Sequence, residues 1–139
     1  MPSHIVLKHA GITERLIGLF FEVYKDLGHG FLEAVYEEAY GVALVDSGLS
    51  FVRQMPITVW FRERKVGEFR ADAVVEGVVL VEMKAARVLT EAHQTQLINY
   101  LSATDIEVGL LFNFGPNPRF LRRVLENDRK ANRRFRGHR

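Results

Sequence analysis

Val78-Val79-Leu80-Val81-Glu82-Met83-Lys84 is the stretch that decides the fold. Its first four residues are purely apolar, the pattern of a strand covered on both faces. Charge then enters abruptly with Glu82 and Lys84. Such side chains are rarely buried without a partner or a ligand. Strand side chains alternate faces, so Glu82 and Lys84 share one face and Met83 points to the other. Residues 66–75 read as the preceding strand, and Glu76-Gly77 as the turn between the two. That hairpin brings Asp72 beside Glu82. Two carboxylates and an ammonium then converge at one end of a sheet, a set able to hold a divalent ion and activate a water. The plainer reading of the same three residues is an ion pair at a strand end.

Working outward, Leu16, Leu19, Phe20, Val23, Tyr24 and Leu27 recur with helical spacing. Thr13-Glu14 reads as the start of that helix, with Thr13 as its cap. Gly28 is expected to end it in a left-handed conformation. A second helix is predicted over residues 31–47, stopped by Gly48. Residues 51–61 read as extended, and Pro56 within them predicts an edge position or a bulge. Residues 62–65 form a polar turn. After the central strand, residues 90–104 are predicted helical and residues 107–112 form another buried strand. Residues 113–118 are a loop rich in breakers. Residues 120–125 fit a strand and a short helix equally well. The order is ααβββαβ, an α/β (α+β) domain whose mixed sheet is flanked by helices.

The chain has 139 residues, 47% hydrophobic and 26% charged, which suits one globular core. With no cysteine, disulfides and thiolate zinc sites are excluded, and a cytoplasmic setting is expected. No apolar stretch approaches a membrane span. Met1-Pro2-Ser3-His4 has neither the basic nor the apolar region of a signal peptide. Residues 129–139 carry six of the 19 Lys+Arg and none of the 17 Asp+Glu. The other 128 residues, with 13 Lys+Arg against 17 Asp+Glu, are net −4. The expected organisation is one domain over residues 1–128 and a basic tail over 129–139. Such a tail suits either phosphate contact or simple solubility.

Two further sets carry candidates. Gln96 and Tyr100 stand at i and i+4 on the helix after the charged strand, with His93 on the same face. Gln96 is placed to orient Lys84, a water or a phosphate, or is simply solvated. In Gly30-Phe31-Leu32-Glu33-Ala34-Val35-Tyr36, Glu33 and Tyr36 are i, i+3 neighbours. Glu33 near the positive end of its helix is also what helix stability selects.

Gly30-x-x-Glu33-x-x-Tyr36 matches the signature of the GxxExxY proteins, small domains of the PD-(D/E)XK nuclease superfamily. The resemblance runs from about Thr13 to Val124. It includes Gln54-x-Pro56, Val66-Gly67-Glu68-Phe69-Arg70-Ala71-Asp72, Val81-Glu82-Met83-Lys84-Ala85, Gln96-Leu97-Ile98-Asn99-Tyr100-Leu101 and Gly109-Leu110-Leu111-Phe112-Asn113-Phe114-Gly115. It implies a restriction-endonuclease-like αβββαβ core with an extra N-terminal helix. It also implies metal-dependent hydrolysis of phosphodiester bonds, with DNA the expected substrate. Asp72 and Glu82, with the Met83 carbonyl, correspond to the residues that hold Mg²⁺ or Mn²⁺. Glu33 corresponds to an additional ligand, Lys84 to the residue acting on the water, and Gln96 and Tyr100 to the helical Gln-x-x-x-Tyr element. Ala71 stands where the superfamily's name has Pro. With no separate recognition domain, a homodimer is the expected way to grip a duplex. The competing expectation is a catalytically silent domain of the same fold that binds nucleic acid or a protein.

Overall fold

The computed structural model describes residues 7–130. Within them the order is α1 (Ala10–Leu27), α2 (Glu33–Ser47), β1 (Phe51–Phe61), β2 (Arg64–Val75), β3 (Val79–Lys84), α3 (Glu91–Ser102), β4 (Val108–Asn113), β5 (Arg119–Val124) and a 3₁₀ turn at Asn127–Arg129. The strands form one sheet in the order β1-β2-β3-β4-β5. Neighbours run antiparallel except β3 and β4, which are parallel. Parallel neighbours need a crossover, and α3 supplies it.

The sheet has two buried faces. Leu16, Phe20 and Val23 of α1 and Tyr36, Tyr40 and Leu44 of α2 pack on Val79, Val81, Met83, Leu110 and Phe112. Phe20 stacks on Phe112, with ring centroids 4.6 Å apart. On the other face, Leu97, Tyr100 and Leu101 of α3 pack on Leu80, Val74 and Leu111. Coverage on both sides explains the unbroken apolar runs of β3 and β4. This is the α+β architecture expected, a mixed sheet flanked by helices with an extra helix at the N-terminus. Among the described residues, no helix is long and apolar enough to cross a membrane.

Local structure departs from expectation at several points. α1 begins at Ala10, one turn before the predicted cap. Thr13 is buried inside the first turn, and its Oγ1 donates to the Ala10 carbonyl at 3.1 Å. Core burial outweighs the local capping signal there. Gly28 ends α1 at φ 67° but ψ −171°, so the chain leaves extended rather than in the left-handed conformation expected, whereas Gly48, the expected stop of α2, is left-handed. The hairpin turn between β1 and β2 shrinks to Arg62 and Glu63, both at positive φ (49° and 63°), as a two-residue hairpin loop requires. Pro56 lies in β1, the edge strand, where its missing N–H breaks no central ladder. Residues 120–125, ambiguous by pattern, fall almost entirely in β5 (Arg119–Val124), because β4 offers that segment a full antiparallel partner.

β1 and β2 also roll over together. Phe51 packs in the α1/α2 core, yet Met55 and Ile57 pack in the α3 core. In β2, Ala73 and Val75 belong to the first core and Ala71 to the second. Strict alternation would keep each set on one face. Pairs Arg53↔Ala73 and Met55↔Ala71 flank the point of change, and Gln54 and Asp72 between them are not ladder partners. Gln54 takes a positive φ of 53° there.

At the C-terminus, Lys130 is buried and its Nζ donates to the carbonyls of Thr104 (2.7 Å) and Ile106 (2.8 Å). The rest of the expected basic tail, residues 131–139, lies outside the described residues.

Candidate active site

β2 and β3 pair through Val75↔Val79, Val74↔Leu80 and Ala73↔Val81. One step further the backbone ladder stops, at Asp72 and Glu82. The Met83 N–H donates to Asp72 Oδ2 at 2.7 Å, and the Asp72 N–H donates to Glu82 Oε2 at 2.8 Å. Each carboxylate replaces a backbone acceptor that an ordinary ladder would supply. Glu82 is only 3% exposed. Burial first, and the Asp72 charge second, push its carboxyl up to about 8. Burial also raises Asp72, against the lowering effect of the Met83 N–H.

α2 brings two more carboxylates. Glu33 and Glu37 lie one turn apart on one helix face, and their oxygens and that of Asp72 all fall within 4.8 Å of one another. A hard divalent cation holds oxygens at about 2.0–2.6 Å, so two ligands on opposite sides of it stand roughly 4–5 Å apart. The all-oxygen donor set and its span therefore fit such an ion. Burial raises Glu37, followed by the charges of Asp72 and Glu33. Gln54 Nε2 donates to Glu37 Oε1 at 3.1 Å, and its side chain also bonds Asp72. The rolled-over point of β1 thus braces the carboxylates. Glu82 stands outside this trio, its Oε2 engaged by the Asp72 N–H. Met83 has its side chain in the core and its N–H on Asp72, which leaves only its carbonyl for a ligand.

The turn before α2 sets the position of Glu33. Gly30 sits at φ 116°, where a side chain is strained. Tyr36 is fully buried and stacks on Phe114 at 4.6 Å. Its hydroxyl donates to the Gly28 carbonyl at 2.5 Å and accepts the Phe31 N–H at 3.3 Å. Tyr36 thus holds the turn that launches the helix, and Glu33 reaches the cluster from the first turn.

Lys84 is half-buried at the end of β3, and its charge lowers the carboxyls of Asp72, Glu82 and Glu37. Its carbonyl accepts the Phe114 N–H at 2.8 Å. The loop beyond it is fixed by Asn113, which is fully buried. Asn113 Oδ1 accepts the N–H groups of Ala86 (2.9 Å) and Gly115 (3.1 Å), and Nδ2 donates to the Ala86 carbonyl at 2.9 Å. A Cβ on Gly115 would meet the Ala86 oxygen at 1.9 Å, so only glycine fits there.

α3 presents Tyr100 and Gln96. Burial raises the Tyr100 hydroxyl, and so do the charges of Glu82 and Asp72; Tyr100 packs with Ala71 and Leu80, whose strands carry the two carboxylates. Gln96 lines a groove with Tyr100. His93 instead closes the helix start: its Nδ1 accepts the Thr90 N–H at 3.1 Å, and Thr90 Oγ1 accepts the His93 N–H. That is a capping box with His in the third position.

Four residues of this assembly were not among the sequence candidates. Glu37 was findable, since it lies at i+4 from Glu33. Gln54, Asn113 and Gly115 stand within the motifs that carry the family resemblance, but their roles depend on strand register and loop contact and so could not be read from them.

A family model described as the PD-(D/E)XK nuclease superfamily matches residues 10–124. Among solved structures, the crystal structure of SSO0001 aligns at 19% identity and a TM-score of 0.48, over 91% of this chain and 84% of that one. No curated protein matches the chain significantly.

Proposed function

Because the chain belongs to the PD-(D/E)XK nuclease superfamily, we propose that it hydrolyses phosphodiester bonds of nucleic acid, DNA first, with Mg²⁺ or Mn²⁺. Within the superfamily we read it as a GxxExxY protein of the cytoplasm, with a homodimer as its assembly. The observation that carries this reading is the convergence of Glu33, Glu37 and Asp72 oxygens within 4.8 Å, with the Lys84 charge acting on the same group.

Asp72, Glu33 and Glu37 would hold the ion, with Glu82 and the Met83 carbonyl as further ligands. A divalent ion there would neutralise phosphate charge and lower the pKa of a water. Lys84 positions the attacking water and stabilises the negative charge that develops on the phosphate. Gln96 orients the water from α3. Asn113 and Gly115 hold the loop after Lys84 and so fix the ammonium. Oxygen-only ligands favour Mg²⁺ or Mn²⁺ over softer metals.

We further propose that residues 131–139, with four arginines, add non-specific phosphate affinity. Truncation after Lys130 should flatten the salt dependence of duplex binding, by about 0.9 in log–log slope for each phosphate that the tail neutralises. An unchanged slope would assign the tail to solubility alone.

The main test pairs Mg²⁺ and Mn²⁺ titration calorimetry with a cleavage assay on single-stranded, duplex, DNA and RNA substrates. Metal binding abolished in Asp72→Ala, together with metal-dependent cleavage by the wild type, is the expected result. No cleavage across the panel would overturn the enzymatic reading and favour a silent nucleic-acid or protein-binding domain.

A further inference from the structure

The β1–β2 hairpin and α3 enclose a groove of about 680 Å³, and of its lining residues the proposed hydrolysis uses only Gln96, at the edge toward the carboxylates. Its walls carry three aromatic side chains, Trp60 and Phe69 from the hairpin and Tyr100 from α3. Phe69 and Tyr100 lie with ring centroids 5.8 Å apart, tilted by 38°. Gln96 and Asn99 add amides, Trp60 adds an indole N–H, and the other polar lining side chains are hydroxyls. None of the lining residues is charged.

That composition selects its occupant. A phosphate groove needs cations, and this one has none. Flat π faces with amides at the rim suit a neutral, flat heteroaromatic group with hydrogen-bonding edges. The groove volume lies in the range of small-molecule sites, about 300–1,000 Å³. Its position matters as much. Tyr100 belongs both to the groove and to the core cluster that holds Ala71 and Leu80, next to Asp72 and close to Glu82 in the chain. A nucleotide with its phosphate at the carboxylates therefore has this groove within reach of its base. A paired, stacked base cannot enter such a slot.

We infer that the groove binds one unpaired nucleobase of the strand whose phosphate lies at the Asp72 site, so that single-stranded or locally unpaired nucleic acid is the preferred substrate. This deepens the nuclease reading and rests on it. The contact is sequence-tolerant, because every base offers a π face, with the Gln96 and Asn99 amides adding mild preference at the base edge.

Trp60 is the only tryptophan of the chain, so the groove contains its own reporter. The experiment titrates the full-length protein, without divalent metal, with a thymidine 12-mer and with a blunt hairpin duplex. Trp60 fluorescence and polarisation of a labelled oligonucleotide are followed together. The expected result is quenching and tighter binding with the single strand. Phe69→Ala should weaken single-strand binding roughly 5- to 150-fold, the cost of removing one base–aromatic stack, and leave duplex binding unchanged. Phe69 is 48% exposed, so the variant should fold. Asn99→Ala, also at the groove wall, is the second variant, with a smaller effect on affinity and an altered base preference. Equal single-strand affinity in the wild type and Phe69→Ala overturns the inference. Cleavage is read separately with Mg²⁺. Active wild type with an indifferent Phe69→Ala sinks the groove and keeps the nuclease. Groove-dependent binding without any cleavage supports the base site and sinks the nuclease.

Discussion

The same two strands, β2 and β3, are built differently at their two ends. At one end Ala73, Val74, Val75 face Val79, Leu80, Val81, all buried and all apolar, with backbone paired to backbone. At the other end Asp72 and Glu82 take over the hydrogen bonds that carbonyls would otherwise accept. Backbone satisfaction does not separate the two ends, since N–H groups find acceptors at both. What separates them is buried charge. The apolar end draws its stability from burial and sets the register rigidly. The charged end inherits that register, so its carboxylates are oriented before any ligand arrives, which is how electrostatic sites gain their effect. The comparison teaches a division of labour: one half of the hairpin stabilises, and the other half is held in a costly arrangement by it.

The sharpest way to break that division is at Lys84. Lys84→Ala should lower the single-turnover cleavage rate by on the order of 10²–10³, the usual effect of removing one preorganised charge. Thermal melts and metal calorimetry should change little, because Lys84 lies beyond the apolar ladder and outside the carboxylate trio. Equal cleavage by this variant would remove Lys84 from the mechanism.

The converse substitution lies two residues from the charged end. Leu80 is fully buried against α3. Leu80→Ala should cost about 2–5 kcal/mol in urea unfolding, as large-to-small core changes do. At temperatures where the variant stays folded, its cleavage rate should remain within a few-fold of wild type. A drop matching that of Lys84→Ala would mean that the two ends are one unit.

How much of this was legible in the sequence follows from the same physics. β3 could be read from its run Val78–Val81, because burial on both faces leaves a local signature. The pairing of Asp72 with Glu82 followed from one turn, Glu76-Gly77, which fixes a hairpin register. The fold class and the superfamily match were readable at this level. Thr13 misled because capping preference is local and worth only about 1 kcal/mol, less than core burial. Residues 120–125 were undecidable because an edge strand takes its conformation from its partner. The trio of Glu33, Glu37 and Asp72 required knowing which face of α2 meets the rolled-over segment of β2. That roll-over is written in no local pattern; it appears only where Gln54 adopts positive φ.

A third prediction concerns the link between the core and the charged end. Tyr36 joins the two, stacked on Phe114 and bonded to Gly28 and Phe31. Tyr36→Phe keeps the stack and removes the hydroxyl. It should destabilise by about 1 kcal/mol, the usual net worth of a hydrogen bond. Metal affinity should fall as well, because Glu33 leaves the turn that this hydroxyl holds. Calorimetry on Tyr36→Phe beside Ala39→Gly tests the point: equal metal affinity in both would make Tyr36 a core residue only.

The smallest expected effect tests the cost of the charged end directly. In the absence of metal, Asp72 carries its charge beside Glu33, Glu37 and Glu82, and burial disfavours the ionised form. Asp72→Asn removes the charge but keeps a side-chain oxygen for the Met83 N–H, whose bond to Asp72 Oδ2 is 2.7 Å. Asp72→Ala would mix two effects, since it also leaves that N–H without its acceptor, at a cost of about 1–3 kcal/mol. The amide variant isolates the electrostatic part. In metal-free buffer its melting temperature should match or exceed the wild type by up to a few degrees, corresponding to roughly 1 kcal/mol or less. With Mg²⁺ the order should invert, because a bound ligand stabilises only the protein that binds it. The measurement is a pair of melts for each protein, with chelator and with millimolar Mg²⁺. A metal-free Asp72→Asn that melts well below wild type would show that Asp72 supports the fold as Leu80 does, and the two ends of the hairpin would no longer differ in kind.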